Sequence, residues 1–270
     1  MGETIRLAGV HETLLATLQA RALDNQQPDP VLGDATAEEL LRRIDYDFSR
    51  IRTATKDVRI VTFRASKLDE WARGFLTTHP NAVVLHLACG LDSRPFRMDL
   101  PNGVEWIDVD VSDVIELRSR LYPDRDGYRM IGASVTTEEW LNSVPGDRPT
   151  LVVAEGLTPY LQEADGEEML RRLTRHLPQG AVMFDAVLPW TLRFAKYSQL
   201  LRATGATFGW GVGDPRSLES RIPGLRFQEQ WSLLDSPHLA SARPVERLVG
   251  ASMRSIPQLR YAHRLLRYAF

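Results

Sequence analysis

"AVVLHLACGLDSR", residues 82–94, is an apolar run that stops at a glycine and continues with an acid and a base. A short apolar run that ends in a glycine turn predicts a buried β-strand ending near Gly90. Glycine lets the backbone adopt a positive φ or approach a ligand closely, which a Cβ would hinder. In a doubly wound sheet, the loop after the first strand lies at the carboxyl edge, where ligands bind. We therefore expect a ligand site around Gly90.

Similar short apolar runs continue along the chain. We predict further strands at 104–110, 128–133, 150–156 and 181–188, helices at 112–122 and 164–177, and a closing pair of strands at 225–234 and 260–270. Strands that alternate with helices are typical of a parallel sheet covered on both faces. The predicted fold is therefore α/β, with a doubly wound, Rossmann-like, mostly parallel seven-stranded sheet.

The first eighty residues carry no strong strand pattern. Apolar residues at helical spacing predict helices over 12–23 and 57–76, and "TAEELLRRI" (36–44) predicts a third helix between them. Thr36 with Glu39 has the spacing of a capping box, and Ser112 is the predicted N-cap of the helix over 112–122. We expect residues 1–80 to form a helical cap on an α/β domain of residues 81–270.

Composition excludes several classes of protein. The chain has 270 residues, is 43% hydrophobic and 25% charged, and carries a formal charge of −2, so we expect no nucleic-acid or membrane partner. No apolar stretch approaches the ~20 residues that span a bilayer, and no secretory pattern opens the chain. Cys89 is the single cysteine, which excludes an internal disulfide and a multi-cysteine metal site. We expect a cytoplasmic protein without a metal; its oligomeric state stays open.

An acidic pair ends the second predicted strand. Asp108 and Asp110 lie in "WIDVD", and Asp110 follows Gly90 by 20 residues. A carboxylate in this place can accept hydrogen bonds from both ribose hydroxyls of an adenosine group. A register error of two residues would exchange the two acids, so either of them could hold the ribose. Strand, glycine turn and acid together suggest an adenosine-containing cofactor.

The glycine turn distinguishes between adenosine cofactors. A dinucleotide fold commonly has G-x-G-x-x-G, whereas this turn contains only Gly90, with Asp92 where phosphates would be repelled. S-adenosylmethionine (SAM) has no phosphate and carries cationic groups that favour nearby acids. The turn therefore favours SAM over NAD. The alternative is a tight strand-to-helix turn in which Asp92 and Arg94 form a local ion pair.

Four ordered blocks carry a more specific resemblance. They are "VVLHLACGLDSRPFR" (83–97), "WIDVD" (106–110), "VIELRSRL" (114–121) and "VVAEGLTPYL" (152–161). Together they resemble the leucine carboxyl methyltransferase family of class I SAM-dependent methyltransferases. Residues 9–41 point to its bacterial branch, which includes O-methyltransferases of polyketide pathways. The resemblance runs from about residue 9 to the last strand.

The resemblance implies roles for four charged residues. Arg64 matches an arginine that holds the methionyl carboxylate of SAM, and a guanidinium suits that task because it can donate two parallel hydrogen bonds. Arg21 is the candidate for a second basic residue that assists it. Asp110 matches the ribose-binding acid. Glu155 matches a cofactor-contacting glutamate after the fourth strand.

Two positions depart from the family pattern near the expected cofactor site. Ala88 stands where a glycine is common, two residues before Gly90, which tightens the approach of the backbone. Ser134 stands after the third strand, where an acid that contacts adenine is common. Both residues stay candidates for cofactor contact, and adenine binding is expected to be weaker or to use another group.

The candidate catalytic residues are His11, Tyr160 and His238. A carboxylate acceptor is already ionised at neutral pH, whereas a phenol or enol acceptor would profit from a general base such as His11 or His238. Tyr160 is expected at the junction of the cofactor and acceptor sites. His86 alternates with strand residues and is predicted to be a hydrogen-bonded core histidine, and Cys89 is predicted to be structural.

Aromatic residues are candidates for an apolar acceptor pocket, and the alternative, which is commoner for such residues, is a place in the core. The candidates come from the late part of the chain (Phe194, Tyr197, Phe208 and Trp210), and the glycine-rich segment 207–215 is a candidate gate. The sequence is therefore interpreted as a SAM-dependent O-methyltransferase, which acts on a carboxylate or hydroxyl of a small polyketide-like secondary metabolite and releases S-adenosylhomocysteine (SAH). The alternatives are a non-catalytic SAM-binding or partner-binding protein and, with less support, an NAD-dependent oxidoreductase.

Overall fold

A seven-stranded sheet forms the centre of the computed structural model, which describes residues 3–4, 12–48, 55–195, 201, 206–242 and 244–270. The strands are β1 (Val83–Leu87), β2 (Glu105–Asp110), β3 (Tyr128–Gly132), β4 (Thr150–Ala154), β5 (Gly180–Val187), β6 (Arg226–Ser232) and β7 (His263–Ala269). Their order in the sheet is β3-β2-β1-β4-β5-β7-β6. The first five strands run parallel, and β7 is antiparallel to both of its neighbours. The predicted sheet and its closing strand pair are confirmed.

Helices surround this sheet and precede it. The described helices are α1 (Glu12–Asn25), α2 (Ala35–Arg43), α3 (Thr55–Thr78), α4 (Arg94–Arg97), α5 (Ser112–Leu121), α6 (Glu163–His176), α7 (Leu192–Ala195), α8 (Ser217–Arg221), α9 (Pro244–Arg254) and α10 (Pro257–Arg260). A two-residue parallel pairing joins Glu3–Thr4 to Ile44–Asp45. Within the described ranges, no helix has both the length and the apolar character needed to cross a membrane.

The central strands are apolar because both of their faces are covered. Every residue of β1 and of β4 is buried, as expected for parallel strands between two layers of helices. Leu68, Trp71 and Leu76 of α3 cover one face of the sheet. Met169 and Leu173 of α6 cover the other face. The sheet therefore has little freedom to shift, and its carboxyl edge is a rigid base for a site.

Two predicted helix caps were wrong, because the helices begin at neighbouring residues. The N-cap of α2 is Asp34, not Thr36; its carboxylate accepts the Ala37 N–H at 3.0 Å, and it also accepts a hydrogen bond from Ser93 Oγ at 2.5 Å. A carboxylate is a strong cap, and here it ties the helix to the loop after β1 as well. Ser112 is the first helical residue of α5, and Val111 is its N-cap.

The strand order creates a crevice at the carboxyl edge. β1 lies between β2 and β4, so the connections that leave β1 and β4 depart toward opposite sides of the sheet. Such a switch point is where open α/β sheets bind their ligands. The Gly90 loop follows β1, Asp110 ends β2, and Glu155 follows β4. The topology therefore brings the main cofactor candidates to one edge.

Candidate active site

The loop after β1 is clamped to the end of β2. Ala88 and Gly90 both have positive φ, at 49° and 51°. The Gly90 N–H donates to Asp110 Oδ2 at 2.8 Å, and Arg118 Nη1 donates to the Gly90 carbonyl at 3.1 Å. Left-handed backbone is unfavourable for alanine by about 1 kcal/mol, and such local strain is concentrated at functional sites. The clamp holds the loop in a turned conformation beside the Asp110 carboxylate.

Asp108 and Asp110 have different surroundings, although they lie two residues apart. Asp108 is fully buried and accepts hydrogen bonds from Trp106 Nε1 at 2.9 Å, Arg118 Nε at 2.6 Å and Tyr128 Oη at 2.5 Å. Burial alone would raise the pKa of Asp108, but Arg118 and the hydrogen bonds outweigh burial and lower it. Asp108 is therefore an ionised core residue.

Asp110 lies at the sheet edge and is half-buried. Its Oδ1 accepts the Val111 N–H at 2.8 Å, and its Oδ2 accepts the Gly90 N–H. Each carboxylate oxygen can accept a second hydrogen bond. Of the two acids that the register left open, Asp110 is the one that lies at the ligand-binding edge, and its contact with a ribose stays a prediction.

Three arginines meet at Glu155, directly after β4. Arg21 Nη2 and Arg64 Nε donate to Glu155 Oε1 at 3.3 Å and 3.1 Å, and Arg94 Nη2 donates to Oε2 at 2.6 Å. Burial alone would raise the pKa of Glu155, but the three guanidinium groups outweigh burial and lower it. The structure thus brings Arg21, Arg64 and Glu155 together from α1, α3 and the sheet edge. Glu155 faces these arginines, so its charge is already compensated.

Asp92 is also compensated by arginines. It is 3% exposed, and its carboxylate contacts Arg21 at 3.1 Å, Arg94 at 2.9 Å and also Arg97. The Asp92–Arg94 ion pair, which the sequence analysis kept as the alternative, is therefore present. The argument that an acidic turn selects SAM by its charge is wrong in that form, because the neighbouring guanidinium groups neutralise the acid.

Two of these arginines keep donor capacity beyond their ion pairs. Arg21 is 4% exposed, and its buried Nε has no hydrogen-bond partner among the described residues. Arg64 uses Nε toward Glu155 and Nη1 toward Asp185, while its Nη2 lies 3.5 Å from the place that a Cβ on Gly156 would take. A buried N–H without a partner is costly. Both arginines are therefore suited to a further carboxylate ligand, such as the methionyl end of SAM.

Tyr160 lies beside this cluster and contacts Phe208 edge to face, with 5.1 Å between the ring centroids. Burial raises the pKa of Tyr160 to about 12, against a smaller opposite effect of Arg64. Its phenol therefore stays protonated at neutral pH, so Tyr160 can form hydrogen bonds but cannot act as a general base there. Phe208 is half-buried next to it.

The other predicted catalytic and cofactor residues are His238, Ser134 and His11. His238 contacts Phe63 on α3, with 6.0 Å between the ring centroids. Ser134 follows β3, and its hydroxyl lies 2.8 Å from that of Thr136. His11 lies outside the described residues. The proposed roles of these three side chains stay predictions.

The described residues of the predicted aromatic pocket differ in how far they are buried. Trp210 is 2% exposed and packs against Gly166 of α6, where a Cβ would lie 2.1 Å from the indole, so its assignment to the acceptor pocket was wrong. Phe194 is exposed, and Tyr197 lies outside the described residues. Backbone bonds tie Gly209 to Pro159 and Val212 to Val187. The gate at 207–215 stays a prediction, with these attachments as its fixed points.

His86 and Cys89 are core residues, as the sequence analysis predicted. His86 is 1% exposed and is bonded through Nδ1 to Asp108 at 3.0 Å and through Nε2 to Arg94 at 3.3 Å. Cys89 is buried, and burial raises the pKa of its thiol well above the usual value. A protonated, buried thiol is a poor nucleophile.

Asp185 and His263 belong to the site but were missed by the sequence analysis. Asp185 Oδ1 accepts the Gly156 N–H at 2.7 Å, and its Oδ2 is bonded to Arg64 Nη1 at 2.8 Å and to His263 Nε2 at 3.2 Å. An acid inside the apolar run "AVMFDAVL" is a signal that could have identified Asp185, because a buried carboxylate needs partners. His263 had no such signal, since its partner lies 78 residues earlier in the chain.

Replacing Asp185 with asparagine is expected to remove a pH-dependent part of the stability. Burial alone would raise the pKa of Asp185, but Arg64, His263 and the Gly156 N–H lower it to about 2. The unfolded value is about 3.9, so the charged form contributes about 2 kcal/mol above that pH, and this is lost as the pH falls toward 2. Urea unfolding across a pH series should show the difference between wild type and variant shrinking below about pH 4. Asp165→Asn, at an exposed position of α6, is the control; a difference that does not change with pH would contradict the assignment.

Comparisons with known proteins show a family match and similar methyltransferases. The leucine carboxyl methyltransferase family model matches residues 14–174. The tetracenomycin polyketide synthesis O-methyltransferase of Streptomyces glaucescens is 86% identical over the full length of both chains. A SAM-dependent methyltransferase of Gibberella zeae is 39% identical and covers 85% of this chain and 84% of its own.

Solved structures with low sequence identity share the fold. A DUF574 family protein of Streptomyces avermitilis matches 93% of this chain and 96% of its own, with a TM-score of 0.58 at 12% identity. A SAM-dependent methyltransferase of Anabaena variabilis matches 98% and 99%, with a TM-score of 0.50 at 14% identity. The fold is that of the class I methyltransferases, as predicted. Because the family model matches residues 14–174 and a relative is 86% identical over the full length, the chain belongs to the leucine carboxyl methyltransferase family.

Proposed function

We propose that this protein transfers the methyl group of SAM to an oxygen atom of an aromatic, polyketide-like small molecule. As a member of its family the chain is a SAM-dependent methyltransferase. The observation that carries the proposal is the arrangement of the carboxyl edge. There, the Asp110 carboxylate and the guanidinium groups of Arg21 and Arg64 lie on either side of the Gly90 loop.

The residues at this edge fit the chemistry of SAM. Asp110 would accept the ribose hydroxyls, Gly90 would let the backbone approach the cofactor, and the remaining donors of Arg21 and Arg64 would bind the methionyl carboxylate. Glu155 would hold the guanidinium groups of Arg21 and Arg64 in place by accepting their hydrogen bonds. Ala88 and Ser134 would line the cofactor near the loops after β1 and β3.

The chemistry requires little of the protein beyond binding and orientation. Bound SAM supplies a methyl group on a sulfonium, which is electrophilic without further activation. The protein's residues hold the acceptor oxygen in line with that methyl group and exclude water, which can account for a large part of the rate enhancement. A carboxylate acceptor needs no base, whereas a hydroxyl acceptor would need a proton acceptor near it.

The proposed acceptor class rests on the close relative and on the site's aromatic side chains. The 86% identical protein is named for tetracenomycin polyketide synthesis and for O-methylation. Tyr160 and Phe208 form an aromatic pair next to Arg64, which suits a flat aromatic ring. His238, close to α3, and His11 are retained as candidates for contact with the acceptor.

The N-terminal helices are proposed to act as a cap over the cofactor. Leu14 of α1 packs against the Gly90 loop, and Arg21 reaches from α1 to Asp92 and Glu155. Residues 1–80 would then form the lid of the α/β part at 81–270. A cytoplasmic location is proposed as well, because cytoplasmic SAM would supply such an enzyme.

Isothermal titration with SAM, SAH and NADH tests the cofactor. We expect binding of SAM and SAH and none of NADH. Methyl-labelled SAM would then be incubated with a panel of aromatic polyketide-type acids and phenols, and the ester and ether products would be separated. Labelled product from either group would support O-methylation and identify the reacting oxygen. SAM binding without any product across the panel would contradict the acceptor class and favour a non-catalytic SAM-binding protein.

A further inference from the structure

His263 stands at the carboxyl edge, on the side of the sheet away from Asp110. It is the first residue of β7 and pairs with Val187, the last residue of β5. Because β7 is antiparallel, its beginning meets the carboxyl ends of the parallel strands. The side chain is 27% exposed, whereas Asp185 beneath it is 2% exposed. The imidazole therefore lies at the boundary between the buried ion pairs and the open edge.

Asp185 determines which ring nitrogen of His263 carries a proton. Its pKa of about 2 keeps it ionised at neutral pH, and its Oδ2 lies 3.2 Å from His263 Nε2. A carboxylate can only accept, so Nε2 carries a proton in this contact. The opposite ring nitrogen, Nδ1, has no hydrogen-bond partner among the residues that the structure describes. The ring is thus held at Nε2, and a neutral imidazole with its proton there presents a lone pair at Nδ1, which accepts hydrogen bonds.

The same carboxylate connects His263 to the reactive end of the cofactor site. Asp185 also holds Arg64, which is proposed to bind the methionyl end of SAM, and the Gly156 N–H after β4. The methyl-bearing sulfonium belongs to the methionyl half of SAM. An acceptor oxygen in line with that methyl group must therefore lie close to this part of the edge. Tyr160 and Phe208 supply aromatic surface for the rest of the acceptor.

We propose that His263 binds the reacting hydroxyl of the methyl acceptor by accepting its hydrogen bond at Nδ1, with Asp185 holding the ring through Nε2. The proposal rests on the function proposed above and adds a residue to it. The hydroxyl oxygen forms the new bond to the methyl carbon while the carbon–sulfur bond breaks and its electron pair stays on sulfur, and the hydroxyl proton passes to the Nδ1 lone pair. His263 orients the oxygen for this displacement. It is an acceptor-binding residue, and it is separate from the residues proposed to bind the cofactor.

Three substitutions separate an acceptor contact from a structural role. In His263→Phe the ring is retained but both hydrogen-bonding nitrogens are lost. In His263→Asn the amide oxygen can accept a hydrogen bond close to the place of Nδ1, and in His263→Gln the amide nitrogen can donate one close to the place of Nε2. A role limited to supporting Asp185 would be rescued by Gln, whereas an acceptor contact would be rescued by Asn. His176→Phe, at the exposed end of α6, is the matched control.

The experiment uses the full chain, SAM and an ortho-hydroxynaphthoic acid, an aromatic probe that carries both a carboxyl group and a phenol. We expect His263→Phe to lower kcat/KM for the probe about a hundredfold, because the reacting hydroxyl loses both its hydrogen-bond partner and its proton acceptor. His263→Asn should recover more of this activity than His263→Gln. The SAH dissociation constant should stay within about twofold of wild type in all four variants.

The outcomes distinguish this inference from the proposed function. If wild type binds SAH but methylates neither group of the probe, the proposed acceptor class fails, and the inference fails with it. If wild type methylates the probe and His263→Phe keeps its full kcat/KM, the inference alone is overturned. Better rescue by Gln than by Asn, or a large loss of SAH affinity in His263→Phe, would also overturn it, because each would indicate support of Asp185 and Arg64.

Discussion

Asp110→Ala is expected to weaken SAH binding about a hundredfold while the protein stays folded. The carboxylate is half-buried at the sheet edge, and it is the proposed acceptor for two ribose hydroxyls. Hydrogen bonds to a charged group contribute about 1.5 kcal/mol or more each, so the loss of two corresponds to about 3 kcal/mol. Isothermal titration with SAH measures the effect directly, without need of an acceptor.

The control for Asp110 is another acid of the same segment. Asp113 is exposed in the first turn of α5, so Asp113→Ala removes the same charge at a nearby position. It should change SAH affinity by less than about threefold, since exposed charges in water interact weakly. Asp110→Asn keeps some capacity to accept hydrogen bonds and should lie between wild type and Asp110→Ala. Equal affinities of Asp110→Ala and wild type would exclude Asp110 as the ribose acceptor.

Asp108→Ala is expected to lower the free energy of unfolding by about 4 kcal/mol. The substitution leaves Arg118, which is fully buried, without its carboxylate partner, and removal of one partner from a buried ion pair typically costs about 3–5 kcal/mol. Trp106 and Tyr128 lose a hydrogen-bond acceptor at the same time. Equilibrium unfolding in urea measures the change, provided that the unfolding is two-state.

Glu116→Ala is the matched control for Asp108, because Glu116 is an exposed acid on α5. Its effect on stability should be below about 0.5 kcal/mol. The paired expectation is that Asp108 chiefly affects stability and Asp110 chiefly affects ligand affinity. An Asp108→Ala protein with the stability of wild type would show that Arg118 finds another partner. A strongly destabilised Asp110→Ala protein would show that the clamp on Gly90 is mainly structural.

Most of the fold was predictable because it follows from local patterns. Short apolar runs such as 82–88 and 150–156 end at glycines or acids, and the intervening segments have helical spacing, so the element types could be assigned. The caps of α2 and α5 were misplaced by one or two residues, because Asp34 and Thr36 are both good caps by type. Asp34 is the N-cap in the folded protein, because Ser93, far along the chain, also donates a hydrogen bond to its carboxylate.

The candidate site was predictable where a residue directly follows a strand. Gly90, Asp110 and Glu155 reach the carboxyl edge because parallel strands end there, and family resemblance added Arg21 and Arg64. Partnerships between distant residues could not be predicted in this way. Asp92 was expected to favour the cationic groups of SAM, with an Asp92–Arg94 ion pair as the alternative, but Arg21, Arg94 and Arg97 converge on it from α1 and α4.

The sequence by itself determined the α/β architecture, the glycine turn and the family, because these depend on residue type and on spacing along the chain. Only the tertiary structure decided which acid is buried and which faces the edge, that Trp210 belongs to the core, and that Asp185 joins Arg64 to His263. The physical reason is that burial and ion pairing depend on distances in space. Strand pairing and helix packing set those distances between residues that are up to 187 positions apart in the chain.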